Sequence, residues 1–145
     1  MKLSLRLQYG LRMLVQLALV HEAGPCQLSE LGKREGISEK YLGQIMLSLR
    51  SSGLVDATRG SQGGYFLSRS PESISVFDVM QSLDGAILDF DEEGSDVAGS
   101  QDTKAAANLA WRRLRTGMEQ GLRETTLAEL RGVYLSEKGF GDYLI

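Results

Sequence analysis

The sequence predicts a mostly α-helical chain with one small β-hairpin. Three observations lead there. Apolar residues recur at three- and four-residue spacing in stretches separated by glycine or proline. Two short apolar runs, at residues 54–58 and 65–68, flank a glycine-rich turn. Two short helical patterns joined by a tight glycine-containing turn come just before that hairpin. Helix, turn, helix and hairpin in that order make a winged helix-turn-helix, and a long helical pattern follows it.

The first helix is expected over about residues 8–22. Tyr9, Met13, Leu17 and Val20 form its apolar stripe, and Gly24-Pro25 stops it. Residues 28–35 read as a short helix closed by Gly36 as C-terminal cap. Ser38 is a good N-cap for the next helix, with Glu39 well placed in the first turn. Leu42, Ile45, Met46 and Leu49 give that helix a clean stripe down to Ser52, and Gly53 ends it.

After the hairpin, Pro71 breaks the chain and Ser75 caps a short helix reaching Leu83. Residues 88–102, LDFDEEGSDVAGSQD, are acidic and rich in small residues, which reads as a flexible surface loop. Helical periodicity returns over residues 103–123 through Leu109, Leu114, Met118 and Leu122. Residues 125–130 add a helical turn or two. The tail from Ser136 has no clear pattern and is expected to be partly disordered. The chain thus divides into 1–84, a loop at 85–102, a helical region at 103–131 and a tail at 132–145.

Composition narrows the function. At 42% hydrophobic and 24% charged residues, the chain is ordinary for a soluble globular protein. No apolar run approaches the ~20 residues that cross a bilayer, and no signal-peptide cleavage site is evident. A single cysteine, Cys26, excludes an intrachain disulfide framework and fits a reducing, cytoplasmic home. The net charge of −3 hides an asymmetry. Residues 1–70 hold 9 Lys+Arg against 5 Asp+Glu, whereas residues 71–145 hold 7 against 14. The basic first half suits a nucleic-acid partner.

The turn in RGSQGGYFLSRS, residues 59–70, decides between two chemistries. A phosphate-cradling nucleotide loop requires a Gly-Lys-Ser/Thr and leads into a helix. This turn has no such lysine and leads into a strand. Nucleophilic catalysis fares no better. The only histidine, His21, and Cys26 have no evident polar pocket, and no enzyme activity is expected. Asp89, Asp91, Glu92, Glu93 and Asp96 match no calcium-loop spacing.

DNA binding uses every part. The second helix of a helix-turn-helix enters the major groove through its N-terminal residues. Here that end offers Ser38, Glu39, Lys40, Tyr41, Gln44 and, further along, Ser48. Lys40 and Tyr41 suit phosphates or base edges, and the Gln44 amide suits adenine. Tyr41 equally suits the core. Arg59, with Gly60, Ser61, Gly63 and Gly64, forms the wing tip, where an arginine suits a narrow minor groove. Gly63 and Gly64 are expected to take positive φ and permit close approach to a sugar–phosphate wall.

These same residues carry a family resemblance. YGLRMLVQLA, GISEKYLGQIMLSLRSSGLV, RGSQGGYFLSRSPESISVFDVMQSLDG and the later LAWRRLR and TTLAEL resemble the bacterial winged-helix repressors that include IscR, NsrR and CymR. The resemblance spans almost all of residues 1–131. It implies a homodimer held by the helix over residues 103–130, including Trp111, that acts on a roughly palindromic operator in double-stranded DNA.

Two departures qualify what carries over. Cluster-binding members place three cysteines, often with a histidine, before and within the long helix. This chain has neither residue type between Asp89 and Trp111, and the corresponding positions are near Ala105 and Asn108. A family-type iron–sulfur cluster is therefore not expected. Gly43 stands where IscR-type members carry a base-selecting glutamate, and Gln8 stands where a basic residue is common. Operator specificity does not transfer. The chain instead resembles the cluster-free cysteine-metabolism repressors, which share a lone cysteine in the Gly-x-Cys setting of Cys26. That similarity implies a cysteine-biosynthesis enzyme as co-repressor. Cys26 itself reads either as a redox switch or as a small buried hydrophobe. A protein–protein module and a small-ligand sensor are the remaining alternatives.

Overall fold

A computed structural model describes residues 2–85 and 99–143. Helix α1 spans Leu5–Leu19. Its N-cap is Ser4, whose side chain accepts from the Leu7 N–H. The helix therefore starts three residues earlier than the apolar stripe suggests, and it ends before the turns at residues 20–23. Helix α2, Leu28–Glu35, is closed by Gly36 in the left-handed region, as expected. Helix α3, Glu39–Ser51, is capped by Ser38.

Strands β1, Val55–Thr58, and β2, Gly64–Leu67, pair antiparallel, with Val55 opposite Leu67 and Thr58 opposite Gly64. Pro71 opens a 3-10 turn, Pro71–Ser73. Helix α4, Val76–Asp84, begins in a capping box. Ser75 Oγ accepts from the Asp78 N–H, and the Asp78 carboxylate accepts from the Ser75 N–H. Helix α5 spans Gln101–Glu124, and helix α6 spans Leu127–Tyr143.

Helix α6 corrects the sequence reading at the C-terminal end. A turn or two followed by a patternless tail is in fact a 17-residue helix. Its anchor is Leu127, fully buried, whose N–H donates to the Ile74 carbonyl while Val76 N–H donates to Thr125. Arg131 then donates to the Ala18 carbonyl at the end of α1 and to Glu72. Beyond this first turn most of the helix is exposed, so its sequence carries little apolar periodicity to read. The acidic residues Asp89, Asp91, Glu92, Glu93 and Asp96 lie outside the described residues.

The core is one cluster. Met13, Leu14 and Leu17 of α1 meet Leu31 of α2, Leu42, Ile45, Met46 and Leu49 of α3, Val55, Ile74, Val79 and Leu127. Close packing of α1 on α4 depends on Gly10, where a Cβ would stand 2.2 Å from a Leu83 methyl and 3.3 Å from Ile45. Helix α5 is different. None of its residues is fully buried, and Met118 and Leu122 only lean on the core.

Candidate nucleic-acid interface

Burial of Leu42, Ile45, Met46 and Leu49 fixes how α3 is rotated about its axis. Lys40 and Gln44 consequently lie in solvent on the opposite face. Ser38 is exposed, but its hydroxyl accepts from the Tyr41 N–H at 3.3 Å, so it works first as a cap. Tyr41 is half-buried, with its ring edge-on to Tyr9 at 5.9 Å. Tyr9 lies under the Arg12 guanidinium at 5.7 Å, and Arg12 pairs with Glu35 of α2. This chain of contacts ties the start of α3 to α1 and α2. Ser48 is turned away from the exposed face. It is half-buried and accepts from Arg6 of α1.

The wing tip is a tight turn closed by Gly63 N–H donating to the Gly60 carbonyl at 3.0 Å. Arg59, Gly60 and Ser61 are exposed. Positive φ falls at Gly60 and Gly64, not at Gly63. The tight space at Gly63 and Gly64 is made by the protein itself. A Cβ on Gly63 would come within 2.3 Å of the Thr58 carbonyl, and one on Gly64 within 2.5 Å of the Cys26 carbonyl. These two glycines therefore let the wing fold onto its own base.

Residues 26–28 join helix and wing. Cys26 N–H donates to Tyr65 O and Tyr65 N–H donates to Cys26 O, both at 2.8 Å, so residue 26 extends the hairpin by one bridge. The Gln27 side-chain amide donates to the Ser61 carbonyl at the wing tip. Leu28 lies beside Gly43 of α3, 3.7 Å from where a Cβ would stand. Sequence reading missed this hub because its contacts are non-local and two of its bonds are made by backbone.

Two neighbouring features follow from the same geometry. Cys26 is buried, with Sγ 3.7 Å from a Glu30 carboxylate oxygen. Burial first, and the Glu30 charge second, raise its pKa. Both disfavour the thiolate on which redox reactivity depends. Basic residues also sort themselves. Arg12, Arg34, Arg50 and Arg69 pair with Glu35, Glu30, Asp56 and Asp78 respectively. Lys40 and Arg59 have no ion-pair partner among the described residues and are exposed.

A helix-turn-helix whose second helix exposes a polar face, beside a wing led by an exposed arginine, defines a winged-helix DNA-binding regulator. Comparison with known proteins supports that class. Residues 3–132 match the Rrf2 profile, described as iron-dependent transcriptional regulator. CymR of Bacillus subtilis, an HTH-type transcriptional regulator, is 35% identical over 130 residues, covering 90% of this chain and 89% of the relative. IscR of Escherichia coli is 34% identical over 130 residues, covering 90% and 80%. The solved structure of B. subtilis CymR, described as the global cysteine regulator, superposes with a TM-score of 0.78 over 92% of this chain and 98% of that one. The chain belongs to the Rrf2 family of transcriptional regulators.

The cysteine and histidine content does not fit a family-type iron–sulfur cluster. Iron–sulfur clusters are held mainly by cysteine thiolates. The one cysteine is buried at the wing hub, where burial and Glu30 raise its pKa and disfavour the thiolate, and the positions near Ala105 and Asn108 on α5 offer no thiolate or imidazole.

Proposed function

We propose that this chain is a homodimeric repressor that reads an operator with α3 and the wing, without an iron–sulfur cluster. The observation that carries the reading is the 26–28 hub, which holds the wing tip through Gln27 and borders α3 through Leu28. Helix and wing are thereby set against one segment, as simultaneous major- and minor-groove contact requires. In this reading Lys40, Gln44 and Tyr41 face the major groove with the Ser38 end of the helix. Arg59, Gly60 and Ser61 face the minor groove, supported from behind by Gly63 and Gly64. Residues 1–84 bind DNA and residues 103–131 dimerise.

Dimerisation is supported by α5, a 24-residue helix with no buried residue that exposes Leu109, Trp111 and Leu114. A helix gains most of its stability from packing an apolar face. DNA binding places the working protein in the cytoplasm. Fluorescence anisotropy on the DNA upstream of its own gene, at several salt concentrations, tests the reading. Log K should fall linearly with log[salt], with a slope of about −0.9 per phosphate neutralised. A flat plot would refute it.

A further inference from the structure

The face of α3 opposite the core carries Lys40, Gln44, Leu47 and Ser51, spaced four, three and four residues apart and all exposed. Three of the four are polar. Leu47 has 68% of its surface in solvent, the largest exposure among the large hydrophobic residues described. Single exposed leucines are ordinary on protein surfaces. What distinguishes this one is its position midway along the helix face that the DNA-binding reading turns toward bases. One helical turn earlier stands Gly43, where even an added Cβ would meet nothing but a Leu28 methyl at 3.7 Å. Gly43 itself offers no side chain beside Leu47.

We propose that Leu47 is a specificity-determining residue that packs against the 5-methyl group of a thymine in the major groove. Thymine is the one base that presents an apolar group there. A leucine methyl offers no hydrogen bond, so seating it over a cytosine amino group or a guanine oxygen would bury that polar group without a partner. Leu47 therefore favours thymine by attraction and disfavours the alternatives by desolvation. Lys40 on the same face provides the positive charge that complements a duplex. This inference rests on the DNA-binding reading of α3.

The test begins by selecting a duplex from a random library with the full-length wild-type protein. Each thymine is then replaced singly by deoxyuridine, which removes only the methyl group, and Kd is measured. One thymine, repeated symmetrically in the two half-sites, should lose about four-fold in affinity, the weight of one buried methyl. The Leu47→Ala variant removes the contact from both half-sites of the dimer, so it should lose about the square of that factor, ~16-fold, on the unmodified duplex, become insensitive to that uracil, and keep the wild-type Tm. A flat uracil scan with wild-type protein would overturn the proposal, as would a Leu47→Ala variant that keeps the uracil sensitivity. Failure of the wild type to bind any selected duplex would instead overturn the DNA-binding reading, and this inference with it.

Discussion

The Gln27 side-chain amide donates a hydrogen bond to the Ser61 carbonyl at 3.2 Å, joining residues 34 positions apart. The bond is exposed, so its contribution to stability is small, at most about 1 kcal/mol. Its effect is positional, because Ser61 belongs to the turn that presents Arg59. Gln27→Ala should leave the Tm nearly unchanged and weaken DNA binding about three- to ten-fold. Gln27→Glu should not rescue, because a carboxylate cannot donate to a carbonyl. Anisotropy on the wild-type operator, paired with thermal melts, checks both variants.

Arg59 has no ion-pair partner among the described residues, so its removal should be silent in the free protein. Arg59→Ala should keep the wild-type melting curve to within about 0.5 kcal/mol. Affinity should fall by at least ~5-fold, the lower end for a specific arginine contact. The salt slope should become shallower, and hydroxyl-radical protection of the minor groove beside each half-site should fade. Unchanged protection would remove Arg59 from the interface.

Three glycines on or near the interface make opposite predictions. Gly64 combines φ +151° with a Cβ position 2.5 Å from the Cys26 carbonyl. Gly64→Ala should cost at least ~2 kcal/mol, through backbone strain and overlap together. Gly63→Ala meets the Thr58 carbonyl and should destabilise as well. Gly43→Ala has room and lies inside a helix, so it should stabilise by about 0.5–1 kcal/mol. Urea denaturation of the three variants orders them.

Much of this was legible in the sequence, for identifiable reasons. Ser38, Ser75 and Gly36 announce helix ends because a cap is a local interaction between near neighbours. The stripe of Leu42, Ile45, Met46 and Leu49 places Lys40 and Gln44 outside by periodicity alone. Three things were not legible. Ser48 turns toward Arg6, 42 residues away. Gly63 and Gly64 accommodate protein backbone from residues 26 and 58, which no local pattern reveals. Four of the nine basic side chains of the first half, Arg12, Arg34, Arg50 and Arg69, sit in ion pairs, so a charge count does not say which of them can face DNA.

Cys26 gives a pH-dependent prediction. Its thiol has a pKa raised above the ordinary 9.0, chiefly by burial. A raised acid pKa means that the folded protein holds the proton more tightly than the unfolded chain. The stabilising contribution is therefore complete below the unfolded thiol's pKa and is lost as pH rises through the folded value. Urea midpoints should be flat on this account up to about pH 8 and should fall above it more steeply than in Cys26→Ala. Thiol labelling at neutral pH should be slow in native protein and fast in urea. Rapid labelling of the native form would restore Cys26 as a redox candidate.

The apolar face of α5 gives the prediction with the widest reach. Trp111 is 50% exposed, and Leu109 and Leu114 are 46% and 45% exposed, on a helix that buries none of its residues. Trp111 and Leu114, three residues apart, share one side of the helix while Leu109 lies on the other, and covering the Trp111 and Leu114 pair against a second copy would contribute several kcal/mol, at ~25 cal/mol per Å² of apolar surface removed from water. Trp111→Asp with Leu114→Asp should convert the proposed dimer to a monomer in light-scattering chromatography. The far-ultraviolet spectrum should lose helix from α5, while the core built on α1, α3 and α4 still melts cooperatively. DNA affinity should drop by two orders of magnitude or more, because two tethered half-site contacts become independent. A double variant that stays dimeric would move the interface away from α5, and the exposed Val133, Tyr134 and Leu135 of α6 would be the next surface to mutate.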